Sequence, residues 1–249
     1  MSSSRALILL LGDSITQQSF TNNGFGAALA NWYSRTGDVV LRGFSGYNTK
    51  WWLEMLNDPS QSALSNGYGG SILQHSSIAS NRYIITLFLG ANDQSSDSQG
   101  VPPSEYSANI LSIISNLRSQ IKSFHPHLET PPTIILITPG PVDSTKWPTR
   151  STSKSLQYAS ILSSISSTHN LPLITLTSLP LTSLSDGLHF GPTANEYLFS
   201  KIQETIRNLR PDLAPDDDDE GRPTVKMHMP YWGSLVGEGS GEKIQMYYK

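Results

Sequence analysis

Apolar residues fall along this chain in two textures. Four runs are almost continuously apolar: Ala6–Leu11, Arg82–Leu89, Thr133–Thr138 and Leu171–Leu176, with the shorter Asp38–Arg42 as a fifth. A strand with one wet face alternates apolar and polar side chains. A strand without that alternation is covered on both faces, as in a parallel sheet between two layers of helices. Between the runs the period changes. Ile110, Ile113, Ile114, Leu117 and Ile121 recur at i, i+3, i+4 and i+7, the stripe of an amphipathic helix. Leu156, Ala159, Leu162 and Ile165 do the same, as do Ala194, Tyr197, Leu198, Ile202, Ile206 and Leu209, and in a shorter form Leu29, Trp32 and Tyr33. These stripes predict helices over Gly26–Arg35, Ser104–Phe124, Ser155–Thr168 and Thr193–Leu209.

Strands alternating with helices of this length imply βαβ crossovers. The expected fold is therefore α/β: a single doubly wound parallel sheet of five strands flanked by helices, an α/β/α sandwich with Leu7–Leu11 as its central strand. The pattern stops after Leu209. Pro211–Pro223 holds three prolines and the run Asp216-Asp217-Asp218-Asp219-Glu220, which reads as a solvated connector. Met227–Trp232 is apolar enough to dock back onto the body. The expected organisation is one domain over residues 1–210, then an acidic linker and tail over 211–249, partly packed on it.

Composition narrows the function. The chain has 249 residues, a net charge of -3 and only 15% charged residues, with no basic stripe for nucleic acid. It has no cysteine, which removes disulfides and thiolate metal sites. No glycosylation signal occurs, and the first apolar run is too short for a signal-peptide core or a membrane span. A cytoplasmic protein without a signal peptide is the economical reading. No phosphate-binding loop, dinucleotide fingerprint or Gly-x-Ser-x-Gly elbow is present. The remaining histidines, including His125 and His127, lack nearby metal ligands. Neither a cofactor nor a metal is expected.

In a doubly wound sheet, ligands bind outside the carboxyl ends of the strands. The segments that follow the runs are Gly12-Asp13-Ser14, Gly43-Phe44-Ser45-Gly46-Tyr47-Asn48, Gly90-Ala91-Asn92-Asp93 and Thr138-Pro139-Gly140-Pro141. Taken singly, each has an ordinary explanation. Ser14 serves as a helix N-cap or as a nucleophile over the sheet; Gly46 and Asn92 suit turns. Asp186-Gly187-Leu188-His189 lets a carboxylate reach the imidazole across a tight turn and fix its tautomer. Taken alone, it reads more readily as a turn former beside a surface histidine.

Together, and in this order, the blocks are more specific. "GDSI" at 12–15, "RGFSGYNT" at 42–49, "LGAND" at 89–93 and "DGLHFG" at 186–191 resemble the SGNH (GDSL) hydrolases, a family of serine esterases with a flavodoxin-like fold. The second block is similar to the branch of isoamyl acetate-hydrolysing esterases, which act on small acetate and other short-chain esters and are often homodimeric. Ile15 stands where leucine gives the family its name.

The resemblance implies Ser14 as nucleophile, His189 as base and Asp186 as its orienting acid. It also implies an oxyanion hole from the Ser14 and Gly46 backbone N–H groups and the Asn92 amide. A small-molecule ester is then the expected partner. Acyl transfer or removal of acetyl groups from sugars or thioesters uses the same triad; a catalytically inactive ligand-binding relative is disfavoured because no motif residue is missing. Gln17, Phe20, Asn23, Phe25 and Trp51 lie beside the motifs and are candidates to wall a substrate pocket, though as residue types they serve equally as core or surface.

Overall fold

The computed structural model describes residues 5–58, 64–65, 70–217 and 223–224. The first strand, β1 (Ala6–Gly12), runs into a single helical turn, α1 (Ser14–Gln17), and then α2 (Phe25–Trp32). There follow β2 (Gly37–Gly43), α3 (Thr49–Asn57), the short α4 (Ser76–Ala79) and β3 (Tyr83–Phe88). The second half contributes α5 (Pro103–Phe124), β4 (Ile134–Ile137), α6 (Thr152–His169), β5 (Leu173–Ile174) and α7 (Pro192–Leu209). Beyond it, β6 (Asp216–Asp217) and β7 (Pro223–Thr224) pair antiparallel as a separate two-stranded ribbon.

The first five strands pair in the order β2-β1-β3-β4-β5, every pair parallel. This is the expected doubly wound sheet, with one correction: β3, not β1, lies in the middle. β1 sits between β3 and the edge strand β2. Its continuous apolarity reflects burial on both faces, which any interior strand requires.

That burial divides cleanly by parity. Leu7, Leu9 and Leu11 of β1 join Ile85 and Leu87 of β3 in a core beneath α3, α5 and α6. Ala6, Ile8 and Leu10 join Ile84, Ile135 and Ile137 on the opposite face, beneath α2 and α7. Side chains two apart share a face of a strand, so one apolar run feeds both layers.

The predicted helices form with boundaries set by local chemistry. Proline at the start of α5 and of α7 lacks an N–H that a first turn leaves unbonded anyway. Ser151 caps α6 by accepting the Lys154 N–H at 3.2 Å, and Asn170 ends it in the left-handed region. Two elements depart from the pattern. β5 pairs over only Leu173 and Ile174, since Pro172 brings no N–H and the strand lies at the sheet edge. Conversely, α3 was hidden among aromatic residues that obscure its period. Asn48 starts it by accepting the Trp51 N–H at 2.9 Å, while Trp52 and Leu56 face the core.

Among the described residues no helix is long and apolar enough to cross a membrane. Leu213 packs into the core against the α2–α7 layer. The Met227–Trp232 segment and most of the acidic run lie outside the described residues.

Candidate active site

Each interior strand delivers polar groups to the carboxyl edge of the sheet. At the end of β1 the chain turns at once into α1, and Asp13 closes the turn: its Oδ1 accepts the Ile15 N–H at 2.9 Å. Capping therefore falls to Asp13 rather than Ser14, a correction to the sequence reading. Ser14 is the first residue inside the turn, and its hydroxyl is left to other partners. With α1 only one turn long, the helix dipole adds little field at that end.

The partner comes from the far end of the chain. Ser14 Oγ lies 2.9 Å from His189 Nε2, and His189 Nδ1 lies 2.7 Å from Asp186 Oδ2. The other oxygen of Asp186 accepts the backbone N–H groups of Leu188 and His189 at 3.0 and 2.8 Å. The carboxylate is thus locked by its own turn. Gly187, at φ +93°, supplies the backbone sense that the turn needs. The Ser185 N–H donates to the His189 carbonyl at 2.8 Å and closes the loop. Partial burial pulls the Asp186 pKa upward, but the His189 ring and the two backbone donors outweigh it and hold the carboxyl below its usual range.

Asn92, in the loop after β3, is tethered at both ends. Its amide donates to the Tyr47 carbonyl at 2.9 Å, and its Oδ1 accepts from Arg150 Nη2 at 3.1 Å. An amide NH₂ has a second hydrogen, which Tyr47 does not use. Gly46 stands at φ +80°, a conformation that places its peptide where a side chain would be strained. Buried Arg150 holds more than Asn92: Nε donates to the Ala91 carbonyl at 2.9 Å, and Nη2 also donates to Gln99 Oε1 at 2.5 Å. The guanidinium lies over the Trp147 ring at 5.4 Å. Trp147 in turn donates its indole N–H to the Asp186 carbonyl at 3.1 Å and packs edge-on against His189.

Two further carboxylates are wholly buried beneath the site. Desolvation pushes Asp13 up to about 7 and Asp93 up to about 6. Asp93 Oδ1 accepts both the backbone N–H and the hydroxyl of Thr49, at 2.9 and 2.5 Å. This anchors the start of α3 under the 43–48 loop.

The pocket candidates scatter. Phe25 is buried in the α2 core, and Asn23 is an exposed turn residue at φ +61°. Gln17 spends its side chain on the loop, accepting the Ser45 N–H at 2.7 Å. Phe20 is 42% exposed. Trp51 packs edge-on against Tyr47 and lines a cavity of about 420 Å³ with Glu54, Met55 and Asp58. Sequence reasoning passed over Arg150, Gln99 and Trp147. They are single polar or aromatic residues in loops, far in sequence from the groups they touch, and carry no periodicity or motif of their own.

Such a site combines a hydroxyl, an imidazole within hydrogen-bond reach of it and amide donors at one edge of the sheet. That set can add an oxygen nucleophile to a carbonyl and stabilise the anion formed. The GDSL-like lipase/acylhydrolase family model matches residues 10–197, a span that contains every block described above. The chain belongs to that family.

Membership of the GDSL family makes it a carboxylic ester hydrolase. It is 32% identical to the human isoamyl acetate-hydrolyzing esterase 1 homolog, over 93% of this chain and 92% of that one. The isoamyl acetate-hydrolyzing esterase of Saccharomyces cerevisiae is 27% identical over 93% and 96%. Among solved structures, the lipase/acylhydrolase of Enterococcus faecalis superposes with a TM-score of 0.59 and 25% identity, covering 82% of this chain and 96% of that one. This GDSL chain keeps the family sheet.

Proposed function

We propose that the chain hydrolyses small carboxylic esters, acetates and other short acyl groups, through a Ser14–His189–Asp186 triad and an acyl-enzyme. The observation that carries the reading is the unbroken relay of 2.9 and 2.7 Å from Ser14 Oγ through the imidazole to Asp186. A serine hydroxyl needs such a base at neutral pH.

In this reading His189 Nε2 takes the hydroxyl proton as Oγ attacks the ester carbonyl carbon. The carbonyl oxygen becomes an oxyanion facing the Ser14 and Gly46 N–H groups and the spare Asn92 hydrogen. Collapse breaks the bond to the alcohol oxygen, which leaves with the proton from His189. Water, activated by the same imidazole, then releases the acid. Asp186 keeps the proton of neutral His189 on Nδ1, so that Nε2 faces the serine as an acceptor. The names of the human and yeast relatives favour a short acyl group.

The test is a series of p-nitrophenyl esters of increasing acyl length, with Ser14→Ala and a fluorophosphonate probe run in parallel. Turnover should be highest for acetate and fall as the chain lengthens. Ser14→Ala should lose about 10⁴-fold or more in kcat and all labelling. Undiminished turnover in that variant, or labelling at another residue, overturns the proposal.

A further inference from the structure

The Gly46 arm is the least self-supporting part of the site. A glycine at φ +80° on a half-buried loop has no side chain of its own to hold its peptide. Yet three consecutive residues of this loop are each gripped by a side chain from another element. The Ser45 N–H donates to Gln17 of α1 at 2.7 Å, and the Tyr47 carbonyl accepts from Asn92 at 2.9 Å. Between them, the Gly46 carbonyl accepts from Gln99 Nε2 at 3.0 Å.

Gln99 is itself fixed at three points. Its Oε1 accepts from Arg150 Nη2, the same nitrogen that holds Asn92 Oδ1. Its carbonyl accepts from Asn48 Nδ2 at 2.8 Å, and its N–H donates to Asp97 at 2.9 Å. The two hydrogens of Nη2 therefore fork to Asn92 and Gln99, one toward each of two donor arms. Asn92 carries its arm on its own side chain. Gln99 carries the other at one remove, by orienting the peptide that follows Gly46.

We infer that Gln99 is a positioning residue for ester hydrolysis: it aims the Gly46 N–H at the developing oxyanion and ties that aim to the Asn92 arm through Arg150. The inference rests on the oxyanion assignment proposed above. The Gly46 N–H belongs to the Ser45–Gly46 peptide, whereas Gln99 holds the next one, whose Tyr47 N–H also donates to the Phe44 carbonyl at 3.1 Å. The two peptides are joined only through the bonds at the Gly46 Cα, and glycine resists turning about these less than any other residue. With its carbonyl held by Gln99 and its N–H by Phe44, the following peptide is a fixed anchor on one side of the Gly46 Cα, which limits how far the Gly46 N–H on the other side can swing. Its effect belongs to the transition state, because the N–H matters most when the carbonyl oxygen carries charge.

Two substitutions test this. Gln99→Leu removes both side-chain hydrogen bonds and leaves the backbone tie to Asn48. Gln99→Glu keeps an acceptor for Arg150, now as an ion pair, but sets a second carboxylate oxygen against the Gly46 carbonyl. For Gln99→Leu, kcat on p-nitrophenyl acetate should fall about 10- to 100-fold, less than the roughly 10²–10³-fold typical of losing a whole donor. KM should stay within about threefold, since substrate carbonyls bind these donors weakly before attack.

Affinity for a trifluoromethyl ketone, which adds the serine to form an oxyanion, should fall in parallel with kcat/KM. Affinity for the corresponding unreactive methyl ketone should not. Gln99→Glu should match or exceed that loss of kcat while keeping a wild-type Tm, separating positioning from folding. If both variants retain kcat within twofold, or if the two ketones weaken equally, the inference is overturned. A wild-type protein that turns over no ester and is not labelled at Ser14 overturns the proposed function and this inference together; loss confined to the Gln99 variants cannot arise that way.

Discussion

Replacing Asp186 by asparagine changes two atoms' worth of chemistry and little else. The asparagine oxygen can keep both backbone N–H bonds that Leu188 and His189 now give to Asp186 Oδ1. The turn survives, and because the carboxylate side chain is 47% exposed, no buried charge is lost. A stability change of about 1 kcal/mol or less follows from one exposed hydrogen bond altered. The nitrogen, however, now sits where Oδ2 lay, 2.7 Å from His189 Nδ1. A donor there requires Nδ1 to accept, which moves the imidazole proton to Nε2. At 2.9 Å from Ser14 Oγ, that nitrogen then offers a proton to the serine, where the proposed mechanism has it take one.

The proposed mechanism must first undo this arrangement, and its imidazolium would have no anion beside it. Such a reversal costs serine hydrolases about 10⁴ in kcat, equivalent to about 5.5 kcal/mol. Steady-state hydrolysis of p-nitrophenyl acetate, with Tm measured on the same sample, is the assay. A folded Asp186→Asn enzyme within tenfold of wild type refutes the reasoning, because the tautomer would then not be set by this contact.

Other expectations follow from the same geometry. Arg150→Met strands the Ala91 carbonyl, Asn92 Oδ1 and Gln99 Oε1, all now bonded to the guanidinium. At about 1–3 kcal/mol for each buried acceptor left unmet, urea unfolding should show a loss of several kcal/mol together with a fall in kcat; a stable, slow variant or an unstable, fully active one contradicts the shared role. Asp13 is wholly buried with its pKa raised to about 7. The folded state therefore holds that proton more tightly than the unfolded chain, and stability from this group is full below pH about 4 and is lost as pH rises toward 7. Asp13→Asn cannot ionise, so its stability relative to wild type should rise across that window. The rise is at most about 4 kcal/mol, the free energy of holding the proton to about pH 7 instead of about pH 4. Parallel urea midpoints against pH would contradict the assignment.

Much of this protein was written in its order of residues. The unbroken apolarity of β1 and β3 demanded cover on both faces, and the stripes of α5 and α7 supplied it. Local patterns of this kind are legible because a strand or helix repeats within a few residues. Three of the four blocks were legible for a related reason: a parallel sheet sends every strand tip to one edge, so residues just after each run must meet there. The fourth, at 186–191, was legible only through its own Asp-x-x-His spacing. Order within the sheet was not legible. Continuous apolarity marks a strand as interior without saying which neighbour lies beside it, and β3 took the central place expected of β1.

The tertiary structure alone decided how the site is braced. Ser14 and His189 stand 175 residues apart, and the pattern around each prepared their meeting. Nothing prepared Arg150 to grip Asn92 across 58 residues, or Gln99 to reach Gly46 across 53. A bracing side chain has no repeat and no required neighbour in sequence; its position is set only by where the loops come to rest. The sheet determines where the reacting groups assemble, and the packing of loops around one buried guanidinium determines how firmly they are held.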